Sequence, residues 1–192
     1  NSVSAMPRTS VVHEAPALCC SWSRDGAKVA SAGADKSLRL LDLPSGGQSM
    51  VIPNAHEAPI KAVRWMGNGM LVSGGWDRQL AYWDLRSPTA VAKVALPERV
   101  YAMDLVNDLL VVGCAERHCL VINLSAPTTI FKNIPSPLKW QTRSIACYHN
   151  ATGFAVGSIE GRVGLHWLRE EDKNLNFAYK CHREGDRAFA VD

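Results

Sequence analysis

The sequence predicts an all-β fold built from a repeated four-stranded sheet, and three observations carry that expectation. A segment recurs about 42 residues along the chain with its polar positions in place: His13, Ser31 and Asp35 are answered by His56, Ser73 and Asp77. Apolar runs of about five to eight residues, rich in Val, Leu and Ile and bounded by Gly, Asn or Asp, continue through the remainder. No window longer than a few residues keeps the period of an amphipathic helix.

In order along the chain, residues 13–43 (HEAPALCCSWSRDGAKVASAGADKSLRLLDL) predict two strands, a tight turn at Asp35 and a third strand closing on Leu41-Asp42. Residues 56–85 repeat that plan, down to a shared His-Glu-Ala-Pro, and close on Trp83-Asp84. A third copy at 97–124 keeps the spacing but has no His at its start, Glu116 at its turn and Asn123 in place of the Asp. A fourth, at 139–168, turns at Glu160-Gly161. Segments 48–53, 90–95, 128–134 and 175–180 supply a fourth, outer strand to each copy, so the repeats run about 13–53, 56–95, 97–134 and 139–180. Runs apolar on both faces fit sheets covered on each side by a neighbour. Residues 6–12 are expected to be an outer strand without a sheet of its own, and 187–192 an inner strand without a sheet after it.

The second copy resembles a WD repeat, the four-stranded blade of a β-propeller. Four of its residues predict a buried relay: Asp77 to the His56 ring, His56 to the Ser73 hydroxyl, and Ser73 to the Trp83 indole N–H. Each donor then meets an acceptor, which is the condition for polar groups inside a blade. In the first copy Leu41 replaces the Trp and the relay loses its last member. Ser73, His56 and Asp77 also carry the residue types of a hydrolase triad, but a nucleophilic Ser sits on an exposed elbow beside an oxyanion hole. Ser73 lies within the apolar run MLVSGG, and the structural role is preferred. A ring escapes exposed edges by closing. The overhanging ends therefore predict four blades of a seven-bladed ring, cut on both sides, forming one partial propeller domain over 1–192.

Composition narrows the function classes. The chain has 192 residues, 47 % hydrophobic and 20 % charged, and no apolar run near the ~20 residues needed to span a bilayer. Its start has no basic segment followed by an apolar core, so no signal peptide is expected. Asn123-Leu-Ser125 and Asn150-Ala-Thr152 are accordingly expected to be unmodified. The six cysteines contain no C-x-x-C pair and are expected to be free thiols packed as small hydrophobes. Net charge is +3 and the pI about 8.6, short of the ~9 that would by itself suggest nucleic-acid binding. His118, His149 and His166 lack metal-ligand spacing, and no cofactor or metal is expected. Trp22, Trp65, Trp140 and Trp167 lie in strand-like runs and are expected in the core.

Several stretches are more specific than a generic blade: ADKSLRLLD, HEAPIKAVRW, YWDLRSP, LPERVY, AERHCLVINL, SPLKWQTR, GSIEGRVGLHW and YKCHRE. Together they resemble the WD-repeat mRNA export factors of the nuclear pore, most closely the fungal members, from about His13 to Arg183. A sister family, the WD-repeat spindle-checkpoint adaptors that bind kinetochore kinase segments, shares SIEGRV and KCHR. The export-factor resemblance implies a non-enzymatic adaptor, nuclear and cytoplasmic, that binds the acidic GLEBS segment of an FG-repeat nucleoporin and contacts RNA and mitotic checkpoint partners. It maps the family's glutamate-binding Arg onto Arg162. A planar guanidinium grips a carboxylate bidentately as Lys cannot; the plain alternative is a solvated turn residue paired with Glu160. Arg143, Lys180 and Arg183 sit in neighbouring family motifs and are candidates for the same acidic ligand. Trp76, beside the Asp77 turn, is either part of a contact surface or packs against the next blade.

Overall fold

The computed structural model describes residues 9–192. Four antiparallel four-stranded sheets follow one another along the chain, each with its strands paired in sequence order. Blade 1 comprises β1 (Ala17–Trp22), β2 (Lys28–Gly33), β3 (Leu38–Asp42) and β4 (Gln48–Ile52). Blade 2 comprises β5 (Ile60–Trp65), β6 (Leu71–Gly75), β7 (Gln79–Trp83) and β8 (Ala92–Ala95). Blade 3 is β9 (Val100–Val106), β10 (Leu109–Cys114), β11 (His118–Asn123) and β12 (Ile130–Pro135). Blade 4 is β13 (Thr142–Cys147), β14 (Gly153–Ser158), β15 (Arg162–Trp167) and β16 (Phe177–Lys180). The arrangement is that of a partial WD β-propeller.

Alternation along the strands explains how the blades stack. Leu71, Ala81 and Trp83 face back into the apolar cluster shared with blade 1, while Val72, Leu80 and Tyr82 face forward into the cluster shared with blade 3. A third cluster joins Val111 and Val121 of blade 3 to Ile145, Phe154 and Val156 of blade 4. Strands β6 and β10 are buried along their whole length, and each Val or Leu so buried contributes roughly 1.5–3 kcal/mol. The first strands β1, β5, β9 and β13 pack successively against one another. Leu18, Lys61, Tyr101 and Arg143 thus come to line one cleft.

Every blade turns between its second and third strands through a left-handed residue: Lys36 (φ 63°), Arg78 (61°), Glu116 and Arg117 (55° and 67°), and Gly161 (63°). Only in blade 4 is it glycine. There a Cβ would stand 2.6 Å from the Cys181 carbonyl oxygen, so position 161 tolerates no side chain.

The described part of the first overhang, residues 9–12, carries no strand, and residues 6–8 lie outside the described residues. The other overhang differs from expectation. Arg187–Ala188 (β18) pairs with Arg183–Glu184 (β17) as a short hairpin, and the chain then returns along blade 4. There the Val191 amide donates to Ser158 O at 3.1 Å, the Ser144 hydroxyl donates to Val191 O at 2.7 Å, and the Val191 side chain closes over Gly157. Val100 closes over Gly74 in the same way at the seam between blades 2 and 3. Residue 191 thus takes the place of a first-strand residue without forming the strand.

Two tryptophans expected in the core are outside it. Trp22, at the end of β1, faces away from blade 2 and is 58 % exposed, and Trp140, in the loop entering β13, is 61 % exposed. Trp65 and Trp167 are half-buried: Trp65 donates to Ser21 O at 3.0 Å, and Trp167 packs on Tyr148 with ring centroids 5.2 Å apart. All six cysteines are free, and burial pushes the Cys114 and Cys119 thiols up to about 12. No helix among the described residues is long and apolar enough to cross a membrane.

Candidate interaction face

The turns between second and third strands, and the loops entering each first strand, lie at the same end of all four blades. In blade 2 that end is fastened by a polar chain. His56 Nδ1 meets Asp77 Oδ2 at 2.9 Å, His56 Nε2 meets Ser73 Oγ at 2.7 Å, and the Trp83 indole N–H donates to Ser73 Oγ at 2.8 Å. Burial is the largest single influence on Asp77 and opposes its ionisation. The His56 hydrogen bond and charge, with the Glu57 and Gln79 amides, outweigh it and hold the carboxyl below its usual range. Blade 1 has the shorter version, with His13 to Asp35 at 2.9 Å and to Ser31 at 2.8 Å. Ser73 is fully buried with both partners in place, so its oxygen lacks the access a nucleophile needs.

The strand registers align the other blades on this scheme. Ile60 opposite Gly75 corresponds to Val100 opposite Cys114 and to Thr142 opposite Ser158. By that alignment His56 is replaced by Leu96 in blade 3 and Leu138 in blade 4, and Ser73 by Val112 and Val156. All four replacements are buried. Glu116 and Glu160 hold the place of Asp77 without a histidine to meet. His166 stands where Trp83 does, stacked on Phe154 at 5.4 Å, and burial pushes its pKa down.

Released from a relay, Glu160 serves another arrangement. Its carboxylate reaches Arg162 Nε at 3.6 Å, and its carbonyl accepts from Arg183 Nη2 at 2.6 Å. Arg183 Nε also donates to Gly161 O at 3.3 Å. Lys180 is the strand partner of Arg162 and is exposed. Arg162, at the start of β15, keeps 36 % of its side chain exposed.

The structure therefore gathers Arg162, Lys180 and Arg183 around one turn. Arg183 is occupied with backbone carbonyls, whereas Arg162 holds a single long contact. Arg143, on β13, is paired with Asp192 and half-exposed. Trp76, 42 % exposed, lies two blades away on the equivalent turn of blade 2 and does not join the cluster. Residue-by-residue mapping missed Trp140 and Lys139, which flank a cleft with Tyr101, Glu116 and Arg117 between blades 3 and 4. The available signal was that Lys139-Trp140 precede β13, in the entry loop rather than in a strand. No group of His, Cys, Asp or Glu among the described residues is arranged to hold a metal ion.

The sequence comparisons agree with the architecture. The family model for the WD domain, G-beta repeat, matches residues 7–42 and 47–84, which span the two blades with histidine relays. The chain is 47 % identical over 175 residues to "mRNA export factor GLE2" of Chaetomium thermophilum, covering 90 % of this chain and 48 % of that protein. It is 49 % identical over 175 residues to "Poly(A)+ RNA export protein" of Schizosaccharomyces pombe, covering 89 % and 49 %. It is 43 % identical over 191 residues to "Protein RAE1" of Arabidopsis thaliana, covering 100 % and 55 %. The chain thus spans about half the length of the curated relatives it matches.

Proposed function

We propose that the chain, whose first two blades match the WD-domain model and which is similar to mRNA export factors, serves nuclear mRNA export as a non-catalytic adaptor. On this reading the rim of blade 4 takes an acidic linear segment, the GLEBS segment of an FG-repeat nucleoporin, at the nuclear pore. One observation carries the proposal: Arg162 is accessible and only loosely held by Glu160, beside a Lys180 with no ion-pair partner among the described residues. A carboxylate from a partner can displace Glu160 and engage the guanidinium through two N–H groups. Lys180 adds a second positive charge. Arg183 contributes by holding the Glu160-Gly161 turn, Arg143 can be recruited only by displacing Asp192, and Trp76 offers a separate aromatic contact.

Isothermal titration with a GLEBS peptide tests this. Binding is expected, and Arg162→Ala is expected to weaken it by about 2–5 kcal/mol where the charge pair is desolvated. Unchanged affinity in that variant removes Arg162 from the site, and absence of binding removes the partner. A kinetochore kinase segment that competes better than the nucleoporin peptide would favour the spindle-checkpoint adaptor instead. RNA contact, where present, should be sequence-tolerant and weaken steeply with salt.

A further inference from the structure

The seams between blades differ at one shared position, and the last seam is open. In blade 2 the third-strand residue opposite Val72 is Tyr82, 2 % exposed, whose hydroxyl donates to the Pro127 carbonyl of blade 3 at 2.7 Å. Met66, Met70, Leu124 and Ile130 pack against that seam. In blade 3 the residue opposite Val111 is Val121, which has neither the ring nor the hydroxyl. A cavity of about 340 Å³ opens there, lined by Leu109, Val121, Ile122, Phe131 and Leu168.

This cavity is at the end of the blades remote from the arginine cluster, since its rim is formed by Asn107 and Asp108 after β9 and by Ala151 after β13. Phe131 forms one wall and is 66 % exposed. Lys132, next to Phe131, is engaged by Leu168 O at 3.0 Å and Glu170 at 3.9 Å, and Arg169, next to Leu168, by Glu171 at 3.5 Å. Asp108 is exposed and has no ion-pair partner among the described residues. The rim thus presents one uncommitted negative charge over an apolar floor.

We infer that this seam is a second docking site, for a linear peptide that places one bulky apolar side chain next to a Lys or Arg. The volume lies at the small end of ligand pockets and holds one or two such side chains. The apolar group replaces water over Val121 and Leu109, the flanking cation meets Asp108, and the Asn107 and Asn123 amides stand at the lip for the peptide main chain. Because the two sites are at opposite ends of the blades, both partners can be held at once. The site does not depend on the export reading, since it uses none of the same residues.

The test is methyl-labelled NMR on the full chain, titrated with acetyl-Gly-Leu-Lys-Gly-amide and with its Gly-Leu-Glu-Gly counterpart. The Lys peptide is expected to move the Leu109, Val121 and Leu168 methyls, and Asp108→Lys to weaken it about fivefold while strengthening the Glu peptide, as one exposed ion pair would. Val121→Tyr should fill the seam as Tyr82 does in its neighbour and remove binding of both. Phe131→Ala, a surface change, should weaken both peptides and covers the case in which Val121→Tyr fails to fold. Shifts elsewhere, no shifts, or indifference to Asp108→Lys would overturn the inference.

Discussion

Blades 2 and 4 fasten the same turn by opposite chemistry. In blade 2 a histidine from the entry loop is clamped between a carboxylate and a hydroxyl inside the sheet. In blade 4 a leucine and a valine hold those places, and the fastening is apolar burial. A buried polar relay is stable only while every member is satisfied, whereas an apolar set has no such condition. The difference also reaches the surface. In blade 2 the turn carboxylate is consumed inside the blade, and in blade 4 it is left at the rim beside an arginine.

The sharpest way to break this comparison is to remove one fastener from each blade. His56→Ala leaves the Asp77 carboxylate, 5 % exposed, without its ring partner, and should cost about 3–5 kcal/mol of unfolding free energy. Leu138→Ala leaves a cavity and should cost about 2–4 kcal/mol. Urea unfolding at pH 7 and again near pH 3 separates the two. The His56 loss should shrink once Asp77 is protonated, and the Leu138 loss should not.

A second test transplants the apolar solution. His56→Leu alone strands Asp77 and Ser73, and Ser73→Val alone strands His56 Nε2 and the Trp83 N–H. The double variant restores the pattern of Leu96 and Val112 at two of the positions. Its cost should fall short of the sum of the singles by at least about 1 kcal/mol, because residues of one network do not act additively. Simple additivity would mean that the four side chains act independently.

The two fastenings should also part company with pH. Asp35 and Asp77 have folded pKa values below the ordinary 3.8. The stability they supply is complete above that value and is lost only as pH falls through it. His166 is pushed below its ordinary 6.5 by burial, so on acidification the unfolded chain takes up that proton before the folded one does. Its contribution is complete above pH 6.5 and declines as pH falls below it. Hydrogen exchange between pH 6.5 and 4.5 should therefore show blade 4 loosening, and His166→Phe should flatten that decline.

This contrast also explains what could be seen in the sequence. His13, Ser31, Asp35 and their partners at 56, 73 and 77 carry rare side chains at fixed spacing, so the first two blades and the relay were legible. Leu96 and Leu138 do the same work, but a leucine in an apolar chain announces nothing, and those positions emerged only from strand register. Trp140 was misjudged because local pattern cannot tell a strand from the loop that enters it, and Trp22 because which face of a strand is covered depends on the neighbouring blade. Arg162 stood out only through the SIEGRV motif. Its looseness against Glu160, and the commitment of Arg183 to two carbonyls, are facts of geometry.

The smallest expected effect separates a structural arginine from one available to a partner. Arg162 is about one-third exposed and its contact with Glu160 is 3.6 Å long, so the pair should supply no more than ~0.5 kcal/mol. Arg162→Ala should leave the urea midpoint nearly unchanged. Arg183→Ala, by contrast, removes donors to the Glu160 and Gly161 carbonyls and should cost roughly 1–2 kcal/mol. A midpoint that moves as much for Arg162 as for Arg183 would show that both arginines belong to the fastening of blade 4, and that neither guanidinium is free for an acidic ligand.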